Sequence, residues 1–218
     1  MAEIGAFVID ADTVGHTLLN QRPVLERVLA HFGNVVLAHP ENEGDPPTID
    51  RRALASIVFK NVEERKVLEA ILHPAMRKTF EKAVDRTQRR GGCKALVLDA
   101  AILFEAEWDD LCDRIIFVDA SRETRLARVI ENRGWNEETL RTRELAQFSP
   151  DRKRAAADFT IANDGDLAAL RSTIGGCWND LLRAPSRGKS THSARETATT
   201  TAAATAMDTA PAGEDSGG

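Results

Sequence analysis

The chain has 218 residues, 42% hydrophobic and 29% charged, with a formal net charge of −5, three cysteines and five histidines. That is enough for one domain with a substantial core and a sub-domain set into it. The acidic balance argues against a general nucleic-acid binder, the scattered cysteines against a disulfide scaffold, and the scattered histidines against a zinc site. No stretch approaches the roughly 20 apolar residues of a membrane span. The opening MAEIGAFVIDAD lacks the basic start and apolar run of a signal peptide. A reduced, cytoplasmic setting is expected.

In chain order, 6–9 is a short apolar run ending at Asp10, which reads as a strand. Helical patterns follow over about 12–20 and, with Pro23 at a helix start, over 24–32, where Gly33 stops the helix. A Pro/Gly/Glu-rich loop covers 38–48. Asp50 caps a helix to about Phe59, and Asn61 caps another through Leu72. His73-Pro74 is expected to break that helix and to start a longer one reaching Arg90, closed by Gly91-Gly92. Continuous apolar runs at 95–99 and 114–119 predict strands covered on both faces of a parallel sheet. Ser121 and Asn136 cap helices to about Asn132 and Gln147, 159–162 is a fourth strand, and Asp166 caps a last helix to about Arg183. Alternation of strands and helices predicts a doubly wound, mostly parallel α/β fold over 1–183. The helical stretch of about 20–92 is too long for one crossover and reads as a sub-domain. From 184 to 218 there is no Leu, Ile, Val or Phe, so a disordered tail is expected. Its Arg187-Gly188-Lys189-Ser190 carries the letters of a phosphate-loop ending. No strand precedes it, and Arg183 stands where the first glycine belongs, so the match reads as chance.

Several pieces then follow one another with telling spacing. They are Ile9-Asp10-Ala11-Asp12, Phe32-Gly33, Asp50-Arg51-Arg52-Ala53-Leu54 with Val58-Phe59, and Leu68-Glu69-Ala70-Ile71-Leu72-His73-Pro74. After them come Leu98-Asp99-Ala100-Ala101-Ile102-Leu103-Phe104-Glu105, Gln147, Ala157-Asp158, Asn163 and Gly165. Over 5 to about 180 this ordered set resembles the dephospho-coenzyme A kinase family. The resemblance implies a fold of the P-loop kinase type with a core, a helical substrate-binding insertion and a helical lid at about 121–157. It implies phosphorylation of the ribose 3′-hydroxyl of dephospho-coenzyme A, with ATP as co-substrate and Mg²⁺. The family pattern has a proline and a leucine where Ala101 and Ile102 stand here, and an Arg-Asp pair where Asn132-Arg133 stands. It also opens with a strand, a GxxxxGK(S/T) loop and a helix, together about 25 residues, whereas nine residues precede Asp10. The expectation is a chain that begins inside the fold, without its first strand and P-loop.

Candidate site residues follow from position and resemblance. Asp12 lies just past a strand's carboxyl end, where open α/β sheets hold ligands. By resemblance it is the base for the ribose hydroxyl, with helix capping as its alternative. Asp10 would support it or hold a Mg²⁺-bound water, against a plain strand-end carboxylate. Asp99 suits Mg²⁺ held through water, against a carboxylate bonded to nearby backbone N–H groups. His73, Phe104 and Glu105 are expected at the substrate, although His73 also fits a histidine satisfied within the fold. Arg125, Arg128 and Arg133 are lid residues facing ATP phosphates, against a solvated helix face, and Asn163 lies where the family approaches adenine. Two other classes stay open. One is a binding or regulatory protein without catalysis. The other is a different small-molecule P-loop kinase, which the helical insertion with its His-Pro step and the Leu-Phe-Glu segment argue against.

Overall fold

The computed structural model describes residues 2–40, 42 and 44–184. β1 (Ala6–Asp10) runs directly into α1 (Ala11–Leu19), because the Asp10 carboxylate accepts the Thr13 N–H at 2.9 Å and so caps the helix. α2 (Arg22–Phe32) has Pro23 in its first turn and stops at Gly33, whose φ of +73° suits glycine. A bridge between Leu37 and Ile49 closes the loop that leads to α3 (Arg51–Lys60). Asp50 caps α3 through the Arg52 and Ala53 N–H groups, and Asn61 caps α4 (Val62–Arg90) through those of Glu63 and Glu64.

α4 corrects the expected break. It is one helix of 29 residues with Pro74 inside it. A proline removes one backbone hydrogen bond and crowds the preceding turn. Here Ile71, Met76 and Phe80 on either side of it are buried in the common core, and that packing holds both turns in line. Gly91 then ends the helix at a φ of +62°.

The remaining elements are β2 (Ala95–Asp99), β3 (Ile116–Asp119), α5 (Arg122–Arg133), α6 (Glu137–Leu145), α7 (Pro150–Ala156), β4 (Phe159–Ala162) and α8 (Leu167–Arg183). β1 pairs parallel with β2 in the register Ala6–Ala95 to Asp10–Asp99, and β3 pairs parallel with β4 from Ile116–Phe159 to Asp119–Ala162. The α/β alternation and the parallel pairing agree with the sequence pattern. Cover on both faces does not: among the described residues the strands form two separate two-stranded pairs. Ile9 enters the core with Leu96 and Leu98 against it. Phe7, Val8 and Val118 remain 55%, 39% and 54% exposed. A pair only two strands wide offers too little surface to be sandwiched between helices.

The main core joins α1–α4 to β1 and closes over Trp108, which is 1% exposed. Trp108 meets Phe80 edge-on at 5.0 Å and His73 at 5.2 Å. Ile115, Leu140, Ile161 and Trp178 are buried outside that cluster, around the second strand pair and its helices. The expected tail lies, from residue 185 onward, outside the described residues, as does the chance Gly188-Lys189-Ser190.

Phe80 is 2% exposed, so Phe80→Ala is expected to lower the unfolding free energy by about 3–5 kcal/mol. Leu145 is 76% exposed, and Leu145→Ala should change it by under about 0.5 kcal/mol. Urea denaturation followed by circular dichroism measures both.

Candidate active site

Parallel pairing brings the carboxyl ends of β1 and β2 to the same edge. There the register sets Asp10 directly beside Asp99, and Asp12 follows in the first turn of α1. The Thr13 N–H holds the Asp10 carboxyl below the usual range. Asp10, not Asp12, is therefore the cap of α1. Asp12 is exposed, and its side chain makes no hydrogen bond with a described residue, which leaves it available to an incoming group. At a helix N-terminus its negative charge is favoured. Asp99 goes the other way. Partial burial pushes its carboxyl up, and the negative charges of Asp10 and Asp12 push it further. The residue is nevertheless exposed, so solvent screens part of this effect. No backbone hydrogen bond to the Asp99 carboxylate, the alternative to a Mg²⁺ role, is found among the described residues, and the neighbouring charges are those of Asp10 and Asp12.

The arginines sort differently from the expectation. Arg125 pairs with Glu144 at 2.8 Å and donates to the Ala120 carbonyl. Arg128 donates to the carbonyls of Asn163 at 2.7 Å and Gly165 at 3.1 Å. Both guanidinium groups thus bind the chain's own acceptors near the ends of β3 and β4, where strand carbonyls run out of partners. Arg128 and Asn163 are brought together, but through the Asn163 backbone. Arg133 lies 5.0 Å from the centre of the Trp135 ring.

A further cation, absent from the sequence-based set, shares that ring: Arg143, at 4.2 Å. Its pKa is lowered by desolvation and by the charge of Arg133, while the charge of Asp12 acts in the opposite sense. Arg143 therefore lies within reach of the Asp12 charge. The signal for it was a tryptophan between two arginines in the sequence.

Glu105 and Phe104 occupy the turn after β2. Glu105 is largely buried and accepts the Phe148 N–H at 2.6 Å and Lys153 Nζ at 3.0 Å through Oε1. Lys153 also donates to the Ala101 carbonyl and to Gln147 Oε1, each at 2.8 Å. Phe104 is half-buried, and its carbonyl accepts the Glu107 N–H at 3.2 Å. His73 sits inside α4 against Trp108. Burial lowers its pKa and the Glu69 charge opposes that shift, the behaviour of a histidine packed in the fold. No group of three or more His, Cys, Asp or Glu among the described residues is arranged to hold a metal ion.

The opposed shifts of the two neighbouring aspartates give a stability test. The folded chain holds the Asp99 proton more tightly than the unfolded chain does. Its stabilising contribution is complete on the acid side and is lost as pH rises through the folded pKa. Asp99→Asn is therefore expected to raise Tm by about 1–2 °C at neutral pH. The difference should fade below pH 3.8, the ordinary value for this carboxyl. Asp10 has the opposite sign, its contribution being lost as pH falls through its depressed pKa. Thermal scans of wild type and variants from acid to neutral pH check both directions.

A family model described as dephospho-CoA kinase matches residues 1–169. The dephospho-CoA kinase of Symbiobacterium thermophilum is 37% identical over 197 residues, covering 88% of this chain and 80% of that protein. The dephospho-CoA kinase of Geobacillus kaustophilus is 36% identical over 175 residues, covering 80% of this chain and 84% of that one. Among solved structures, a Thermus thermophilus protein superposes with a TM-score of 0.64 at 28% identity, over 83% of this chain and 87% of its own. The dephospho-CoA kinase from Campylobacter jejuni reaches a TM-score of 0.58 at 23% identity, over 84% and 88%, and shares the fold. The chain belongs to the dephospho-CoA kinase family.

Proposed function

We propose that this chain is a kinase that moves the ATP γ-phosphate to the ribose 3′-hydroxyl of dephospho-coenzyme A. The observation that carries the reading is the exposed Asp12 carboxylate beside the Asp10–Asp99 pair, with the Arg143 guanidinium close enough to feel its charge. Asp12 takes the hydroxyl proton as the ribose oxygen bonds to phosphorus. The bond to the β-phosphate oxygen breaks, and ADP leaves. Arg143, with Arg133 behind it, supplies positive charge where the transferring group is most negative. Residues of about 20–92 receive the acceptor, and 121–157 close over ATP. Mg²⁺ comes with ATP. A divalent cation fits a cluster in which Asp99 is already crowded by two like charges, and because no described set of three ligands surrounds it, the contact would run through water. Phe104 lines the acceptor side of the same turn. No helix among the described residues is long and apolar enough to cross a membrane, in keeping with a cytoplasmic enzyme of a small molecule rather than of nucleic acid.

Phosphoryl transfer also needs backbone N–H groups and a lysine around the β- and γ-phosphates. None of the described residues forms a GxxxxGK(S/T) loop. The lack of such a loop among the described residues favours one other reading, a protein that binds dephospho-coenzyme A without turning it over.

The test measures dephospho-coenzyme A binding by calorimetry and assays coenzyme A formation with ATP. Binding of dephospho-coenzyme A is the expected result, coenzyme A formation decides for the kinase over the binding protein, and no binding would overturn both readings. In the active chain, Asp12→Asn should lower kcat about 10²–10⁴-fold with little change in KM. Asp10→Asn, which keeps the cap on α1, should be milder. The opposite ranking would move the base to Asp10.

A further inference from the structure

Glu105 and Lys153 are an unusual pair for this molecule. Their side chains are only 15% and 12% exposed, whereas each partner in every other ion pair among the described residues is at least 29% exposed. Glu105 Oε2 is buried with no hydrogen-bond partner among the described residues. Desolvating both charges and leaving one oxygen unpaired is an expensive way to stabilise a fold, and apolar residues of the same size often do as well. What such a pair supplies is geometry.

Both of its ends are anchored. On the side of β2, the turn carrying Glu105 is fixed by Trp108 in the core and by Arg77 of α4. Arg77 grips Asp110 with two bonds of 2.9 and 2.6 Å and the Glu107 carbonyl with one of 3.2 Å. On the other side, Glu105 and Lys153 together seize Phe148 N–H and Gln147 Oε1, just past the end of α6. The chain paths from these anchors are short: Asp99 lies on the strand just before the Glu105 turn, and Arg143 lies in the last turn of α6. Among the described residues, the side-chain ion pairs that α6 makes through Glu137 and Glu144 go to α5 and do not tie it to β2.

We infer that the buried Glu105–Lys153 pair is a positioning device that holds the end of α6, and with it Arg143, at a set separation from the carboxylates of Asp12 and Asp99. The value of that separation for phosphoryl transfer rests on the kinase reading above. The geometric coupling does not. Glu105 thereby acts on the reaction through Arg143 rather than by touching the acceptor.

Trp135, in contact with Arg143, is a built-in reporter. The full chain labelled with 5-fluorotryptophan gives one ¹⁹F resonance each for Trp108, Trp135 and Trp178, assigned by single Trp→Phe changes. The double variant Glu105→Met with Lys153→Met removes both charges together, which spares the fold the cost of a lone buried ion, but it leaves Phe148 N–H without its acceptor. It is expected to shift the Trp135 resonance by more than a linewidth and leave Trp178 in place. Glu105→Gln combined with Lys153→Met likewise leaves no lone buried charge but keeps an acceptor for Phe148, and should return Trp135 to near its wild-type position. The inference is overturned if the first double variant leaves Trp135 unmoved, if the second moves it as far as the first, or if all three resonances collapse together. These spectra need neither ATP nor turnover, so a failure of the kinase reading in the coenzyme A assay leaves their outcome intact.

Discussion

The site depends on one register. Because β1 and β2 run parallel with Asp10 opposite Asp99, two carboxylates reach the same edge, and the helix that begins at the next residue delivers a third. A slip of one residue would turn Asp99 to the other face of the strand and separate it from Asp10. The register is fixed from below by Ile9, Leu96 and Leu98 in the core, and at its far end by the Lys94 N–H bonding the Gly5 carbonyl at 3.2 Å. Apolar packing a few residues away thus sets the spacing of charges that, left to themselves, would move apart. This division of labour is common in enzymes: the core bears the cost of holding groups where their chemistry, not their stability, requires them.

The cationic half is organised by different means. Arg125 and Arg128 are consumed by carbonyls and by Glu144, and in this role they rivet α5 to the ends of β3 and β4. Arg133 and Arg143 are instead steadied by the face of Trp135, which orients a guanidinium without neutralising it. Among the described residues, the guanidinium groups resting on the aromatic ring make no ion pair, while Arg125 and Arg128 bond to oxygen atoms of the chain itself.

Much of this was legible in the sequence because it rests on local rules. Caps at Asp50, Asn61, Ser121, Asn136 and Asp166 and glycine stops at Gly33 and Gly91 each follow from backbone groups within a few residues. The family was legible because its residues come as an ordered set. What was not legible depended on partners distant in the chain. The His73-Pro74 step reads as a break in any local rule, and the core on both sides of it keeps the helix unbroken. Arg128 looks the same on paper whether it meets a phosphate or the Asn163 carbonyl 35 positions away. Glu105 offered an acidic residue in a motif, yet its lysine lies in α7, a helix the sequence pattern did not separate from its neighbours. Cover on both strand faces failed for a related reason: apolar strands report what a sheet wants, not how many strands are present to share it.

The unbroken α4 has a mechanical side. At 1.5 Å per residue its 29 residues make a rod about 43 Å long. α1, α2 and α3 are bonded along it through the shared core, so the whole bundle rides on one beam. That beam meets β2 through Gly91 and Gly92, two adjacent residues with φ of +62° and +79° and nothing within 4 Å of where a side chain would start. It has the form of a lever with its fulcrum at the amino end of β2, the end away from Asp99. A tilt of about 2° at that fulcrum would carry the far tip through about 1.5 Å. Small adjustments at the amino end of β2 would thereby be magnified at the other end of the bundle.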